Sequence, residues 1–189
     1  AAWDETITFQ GTASGGEGWV VEIADGTTPS LAWGQWLGGT GAESVYALAL
    51  NGEEIYAGGD STTAAAWDET ITFQGTASGG EAWVVEIADG TTPSLAWGQW
   101  LGGTGDDYVY ALALNGEEIY AGGYSATAAA WDETITFQGA ASGYEGWVVE
   151  IADGTTPSLA WGQWLGGTST DYVSALAVTG EESYDGGYS

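Results

Sequence analysis

The sequence predicts an all-β protein built from three tandem copies of one 64-residue module, spanning residues 1–64, 65–128 and 129–189. The first observation is literal repetition. The word WDETITFQG opens at Trp3, Trp67 and Trp131, and the longer word WVVEIADGTTPSLAWGQWLGGT opens at Trp19, Trp83 and Trp147 without a change. Self-similarity at a fixed period marks a supersecondary unit that cannot bury its apolar face alone. The second observation is punctuation. Thirty-three glycines cut the chain into short runs rich in Val, Ile, Thr, Trp and Tyr, which read as strands. The third is that no amphipathic stretch of helical length interrupts those runs.

The second module gives the elements in order. Residues 70–74 (TITFQ) alternate Thr outward with Ile71 and Phe73 inward. Residues 83–87 (WVVEI) form the next strand, and Asp89-Gly90 begins a hairpin loop, DGTTPS, that contains Pro93. Residues 95–101 (LAWGQWL) return and stop at Gly102-Gly103. Trp97 shares a face with Leu95 and Leu101 and reads as core, while Trp100 faces the other way, toward a neighbouring module or an outer surface. Residues 109–114 (VYALAL) follow; Asn115-Gly116 is a strong hairpin signal, and residues 117–121 run back to Gly122-Gly123. The alanine run 64–66 lies between Thr and a strand-like word and reads as a connection. Val109, Ala111 and Ala113 face one way; Tyr110, Leu112 and Leu114 face the other. Such a strand is expected to be buried on both sides. Its small-residue face admits a close neighbour, as the inner strand of a propeller blade requires.

The run WVVEIADGTTPSLAWGQWLGGTGDDY (83–108), followed by ALALNGEEIYAGGY (111–124), resembles the seven-bladed β-propeller repeat family. The resemblance covers about two thirds of each module and recurs from Trp19 and Trp147. It implies β-propeller-type blades, a secreted or surface-exposed protein and no common catalytic residues. Family members usually carry some basic residues, and this chain has none.

Propellers usually have 4–8 blades. Three modules do not close a ring, and the order of strands divides the outermost blades. The first module presents TITFQ, WVVEI and LAWGQWL before any inner strand; the last inner pair, at 173–178 and 182–185, has no outer strands after it. The expected fold class is therefore three tandem repeats with split terminal half-blades. The halves are complementary, and a head-to-tail contact between chains closes a ring or grows a filament. Ile7, Phe9, Trp19, Val21 and Trp36 on one half, with Val173, Ala175, Leu176 and Tyr184 on the other, are the expected self-association residues. The last module also exchanges apolar for polar groups: Ser174 for Tyr110, Ser183 for Ile119 and Asp185 for Ala121. Polar capping of a terminal repeat and drift in a free end both account for that.

Composition narrows the chemistry. The chain carries 27 Asp plus Glu and no Lys, Arg, His, Cys or Met, for a net charge of −27 at pH 7. An average chain is about 25 % charged, so roughly 20 basic residues are missing. Phosphate neutralisation and attraction to anionic lipid both need Lys or Arg. Nucleic acid is excluded as a partner, and no apolar run approaches the roughly 18 residues of a membrane span. His, Lys and Cys catalysis and soft-metal sites are absent. Self-repulsion weakens the compact state unless salt or cations screen it. The start at Ala1-Ala2 suits cleavage after a signal peptide as well as it suits trimming.

Hard cations remain. The loop at Asp106-Asp107 offers carboxylates for Ca²⁺, although its counterparts, Ala42-Glu43 and Thr170-Asp171, vary, which favours a solvated turn. Asp25, Asp89 and Asp153 precede Gly and serve the hairpin turn. Paired carboxylates also suit a glycosidase, but these recur with the modules and lie in turns. No catalytic residue and no cofactor other than calcium is expected. The expectation is a non-enzymatic extracellular structural protein that self-assembles head to tail. A lectin-like propeller that stacks carbohydrate on Trp and Tyr is the alternative, and an engineered symmetric propeller is a second one.

Overall fold

The computed structural model describes residues 8–13, 15–62, 67, 71–77, 79–126, 131, 135–141 and 143–189. Among them the first module supplies β1 (Phe9–Gln10), β2 (Gly18–Ala24), β3 (Ser30–Leu37), β4 (Glu43–Asn51) and β5 (Glu54–Ser61). The second supplies β6 (Phe73–Gln74), β7 (Glu81–Ala88), β8 (Ser94–Leu101), β9 (Asp107–Asn115) and β10 (Glu118–Ser125). The third supplies β11 (Phe137–Gln138), β12 (Glu145–Ala152), β13 (Ser158–Leu165), β14 (Tyr172–Thr179) and β15 (Glu182–Tyr188). The chain is all-β, and no described helix is long and apolar enough to cross a membrane.

The sheets do not follow the module boundaries. Two five-stranded sheets have the orders β4-β5-β7-β8-β6 and β9-β10-β12-β13-β11, so each joins the inner pair of one module to the outer strands of the next. A three-stranded sheet, β1-β3-β2, and a two-stranded one, β14-β15, stand at the two extremes, and the sheets are not closed on one another. Ladders are antiparallel except where the short edge strands join, as in Phe73↔Gly98, which is parallel. The strand expected over 70–74 is only Phe73–Gln74, and Thr70 lies outside the described residues. Phe73 lies over Gly98, where any Cβ would meet its ring at 2.6 Å, and it stacks on Trp100 at 4.2 Å.

The Asn-Gly hairpin is offset by one residue from the sequence signal. Asn115 pairs with Glu118, which leaves Gly116-Glu117 as the two-residue loop. Gly116 has φ +67° and no described non-Gly residue has positive φ, which fits a type II′ turn with Gly first. Asn is therefore dispensable to the turn itself, and Thr179 replaces it where Gly180 keeps φ +58°. Opposite Gly122 and Gly123 the partner strand skips Tyr110, a bulge that bends β9. There a Cβ on Gly123 would fall on the carbonyl of Tyr108.

The core lies inside and between the sheets. Trp67, Trp83, Trp100 and Phe73 form one aromatic nest, with Trp67–Trp83 centroids 4.7 Å apart, and Trp131, Trp147, Trp164 and Phe137 repeat it. Trp97 is buried in one cluster with Leu101 as expected, but a bulge at Ala96 moves Leu95 to the Trp100 side. Burial of the VYALAL strand on both faces needs correction. It is approached in β9, which lies between β4 and β14, with Val109 and Ala111 buried. In β4, Tyr46, Leu48 and Leu50 are exposed, because an inner strand is covered only where another sheet stacks on it.

Candidate self-association edges

The internal junctions show what a completed edge looks like. β5 pairs with β7 from Glu54↔Ala88 to Ser61↔Glu81, and β10 pairs with β12 in the same register. Above this ladder the next inner strand sits on glycine. A Cβ on Gly58 would meet Val109 Cγ1 at 2.6 Å, and one on Gly122 would meet Val173 Cγ1 at 2.7 Å. Polar ties cross at the rim. Trp33 Nε1 donates to Asp89 Oδ1 at 2.8 Å and Trp97 Nε1 to Asp153 Oδ1 at 3.0 Å. The Tyr56 hydroxyl donates to Asp153 Oδ2 at 2.6 Å. Asn51 and Asn115 donate to the carbonyls of Gly116 and Gly180 in the next sheet. These carboxylates hold their own turns, through Gly90 N and Gly154 N, and also fasten sheet to sheet.

The two outermost sheets keep the same residues without the cover. β2 pairs only with β3, and β15 only with β14, among the described residues. Trp19 is 43 % exposed, whereas its counterparts Trp83 and Trp147 are fully buried. Tyr184 is 57 % exposed, against 1 % for Tyr56 and 6 % for Tyr120. Ile23 is likewise exposed where Ile87 and Ile151 are buried. Beside each open edge lies a cleft of about 530 Å³. One is bounded by Trp19, Val45 and Leu48; the other by Val173, Gly186 and Tyr188. Gly186, the counterpart of Gly58 and Gly122, has only the Ala175 methyl near a would-be Cβ, at 3.7 Å.

The expected self-association residues divide. Trp19 and Val21 lie on β2, along the open edge, and Ala175 and Tyr184 are exposed on the last sheet. Val173 and Leu176 already cover Gly122 inside the chain. Phe9, on the opposite edge strand β1, stacks at 4.5 Å on Trp36 of the central strand β3, which stands directly across from Trp19, and Ile7 lies outside the described residues.

Buried carboxylates are the second feature of the junctions. Glu43, Asp107 and Asp171 are almost fully buried and accept the backbone N–H of Gly39, Gly103 and Gly167. Each faces a second carboxylate across a glycine. A Cβ on Gly102 would meet Asp107 Oδ2 at 2.5 Å and Glu81 Oε2 at 2.7 Å, and Gly38 and Gly166 stand in the same way between Glu17 and Glu43 and between Glu145 and Asp171. Burial pushes the Asp107 carboxyl up to about 6. Burial also raises Glu43, with Glu17 and Asp60 adding like charge. Asp171 shifts the other way, held down by the Gly167 N–H and then by Ser189. The predicted Ca²⁺ pair does not converge: Asp107 is buried against Gly103 while Asp106 is exposed beside Gly80. Adjacent strand residues point to opposite faces. The described residues hold no group of three or more acidic ligands.

Sequence reasoning missed the facing carboxylates and the Asp–Trp ties. The signal for the first was present: an acid stands at 17, 81 and 145 and again at 43, 107 and 171. The residue before the second acid varies (Ala42, Asp106, Thr170), while the acid itself is constant. No protein-family model matches the chain, and no curated protein matches it.

Proposed function

We propose that this chain is a non-enzymatic, extracellular building block. Its sheets act as β-propeller-type blades, and copies join head to tail when β15 of one pairs with β2 of the next. The observation that carries the reading is threefold repetition with unequal burial. The tryptophan that is fully buried twice is 43 % exposed the third time, on a strand with a free edge. The internal ladders supply the register. By the pattern of Glu118↔Ala152, Glu182 meets Ala24 of the second copy, and Gly186 takes Val45 of that copy as Gly58 takes Val109. Backbone pairing supplies adhesion and the apolar faces supply the free energy, since a free strand edge is a template for another chain. A ring and a filament use the same contact and differ only in whether the rotation closes.

The test is light scattering with negative-stain microscopy in high salt, which screens the −27 charge. Mass should grow with concentration, into rings or fibres. Gly186→Val fills the seat left for Val45 and should hold the chain as a folded monomer, because within the fold only the Ala175 methyl comes near, at an ordinary contact distance of 3.7 Å. A parent chain that stays monomeric at millimolar concentration would falsify the head-to-tail reading.

A tyrosine belt favours the second reading, carbohydrate binding. Tyr46, Tyr108, Tyr110, Tyr124, Tyr144, Tyr172 and Tyr188 form a connected series of rings across β4, β9, β10, β14 and β15, with Tyr108–Tyr110 stacked at 5.6 Å and Tyr124–Tyr144 at 5.9 Å. These positions differ between modules: Ser44 faces Tyr108 and Tyr172 in alignment, Asp60 faces Tyr124 and Tyr188, and Gly16 and Gly80 face Tyr144. Exposed rings offer apolar faces to sugar C–H groups. Under this reading a glycan array gives selective hits that weaken on Tyr144→Ala. A blank array on the parent chain removes it.

A further inference from the structure

The Asp153 loop is a template for a contact that the chain offers but does not make. The loop between β12 and β13 reaches back one sheet, and its two carboxylate oxygens separate two donors: Oδ1 takes Trp97 Nε1 at 3.0 Å and Oδ2 takes the Tyr56 hydroxyl at 2.6 Å. Asp89 repeats the indole bond with Trp33. Indole and acceptor are 56 residues apart in both pairs, hydroxyl and acceptor 97. The same steps taken from Trp161 and Tyr120 lead to a single place, one module past β13. In the repeat, that place is the position of Asp25.

The donors that this place would use are at hand, and the indole is turned to another acceptor. Trp161 Nε1 donates instead to Glu150 Oε2 at 2.7 Å, only 11 residues away, while the Tyr120 hydroxyl keeps the 3.2 Å contact with Glu118 Oε2 that Tyr56 also makes with Glu54 beside its bond to Asp153. Between them lies an open cleft of about 440 Å³ whose walls include Asn115, Glu118, Tyr120, Glu150, Trp161 and Gly180. At the opposite extreme of the molecule, Asp25 sits in an exposed loop with no sheet before it. In a chain without Lys, Arg or His, a carboxylate can be held only by neutral N–H and O–H donors, and two of these converge here.

We propose that this cleft is a carboxylate socket for Asp25 of a second copy, whose oxygens accept Trp161 Nε1 and the Tyr120 hydroxyl. The proposal rests on the head-to-tail reading and gives it a polar lock. The β15–β2 ladder takes its register from backbone pairing and from the glycine seats, and the socket adds a polar check on that register. The socket admits one register, because only one loop carries an Asp at the right height. Glu150 serves as the stand-in acceptor for the indole until the partner's loop arrives.

The experiment is sedimentation equilibrium on the full chain in high salt, comparing the parent with Asp25→Ala, Trp161→Phe and the double variant. Asp25 and Trp161 do not touch within one copy, so coupling between them can arise only across the junction. Hydrogen bonds to a charged group contribute about 1.5–3 kcal/mol, so each single variant should weaken association by roughly tenfold or more. The double variant should associate no more weakly than the worse single one. Melting curves in dilute solution keep fold and assembly separate, and Asp25→Ala should melt with the parent. An Asp25→Ala chain that associates at parent strength, or losses that simply multiply in the double variant, overturn the socket and leave the head-to-tail contact standing. A parent chain that never associates removes the head-to-tail reading and the socket together.

Discussion

Lowering the pH from 7 to 4 should stabilise this protein, and Asp107→Asn should abolish a large part of that gain. Asp107 has an ordinary carboxyl value near 3.8 in the unfolded chain and about 6 in the fold, where burial penalises its charge. The folded state therefore holds a proton that the unfolded state has given up across this window. The stabilisation is complete below the unfolded value and disappears as the pH rises through the folded one. The difference amounts to on the order of 2 to 3 kcal/mol between pH 4 and pH 7. For a chain of this size that is a shift in Tm of roughly 5–10 °C. Glu43, Asp60 and Glu86 are raised mainly by burial and act in the same direction. Asp171 is lowered and acts against them. In Asp107→Asn the neutral amide keeps an oxygen for the Gly103 N–H and offers its NH₂ toward Glu81, so the variant should match the parent at pH 4 and melt higher at pH 7. Equal pH profiles for parent and variant would show that Asp107 ionises as freely in the fold as in water.

The architecture was legible in the sequence to the degree that backbone pattern decides it. Repetition at 64 residues marked recurring strand words, but the sheets cross those boundaries. Apolar runs and glycine placed three of the four longer strands of the second module to within two residues, whereas the fourth, expected at 117–121, runs on through the glycine pair to Ser125. What the pattern did not carry was partnership between distant groups. The Asn-Gly pair read as a turn, yet the turn needs only Gly116, and the Asn115 amide instead bridges to Gly180 O at 2.6 Å. Asp89 and Asp153 read as turn formers and are that, but their second task, bonding to an indole 56 residues back, follows from how sheets stack. The facing of Glu81 and Asp107 was hidden for the same reason: 26 residues and a sheet boundary separate them. Phe9 and Trp36 were expected to take part in self-association, since both belong to the unpaired half; the strand order β1-β3-β2 puts Phe9 on the edge away from β2 and Trp36 on the central strand. Order within a sheet is set by side-chain fit, here Phe9 over Gly34, which periodicity alone does not encode.

Truncating one tryptophan at each of its three repeats should give two large effects and one small one. Trp83 and Trp147 are fully buried, in edge-to-face contact with Trp67 and Trp131 at 4.7 Å. Removing such a ring loses its transfer free energy and leaves a cavity that the surrounding strands cannot close. Trp83→Ala or Trp147→Ala should therefore cost about 3–5 kcal/mol. That is a large share of the 5–15 kcal/mol typical of a whole domain. Trp83→Phe should cost much less, because Trp83 Nε1 is buried with no acceptor among the described residues and its loss forfeits no bond. Trp19 stands in the same word of the sequence but is 43 % exposed on β2. Trp19→Ala should change the stability of the dilute monomer by about 1 kcal/mol or less. The same substitution should weaken association severely, since Trp19 would meet Gly187 of a second copy as Trp83 meets Gly59 and Trp147 meets Gly123. Chemical denaturation in dilute and in concentrated solution separates the two effects. If Trp19→Ala destabilises the dilute chain as much as Trp83→Ala does, then β2 is already covered within one molecule, and its edge is not waiting for another.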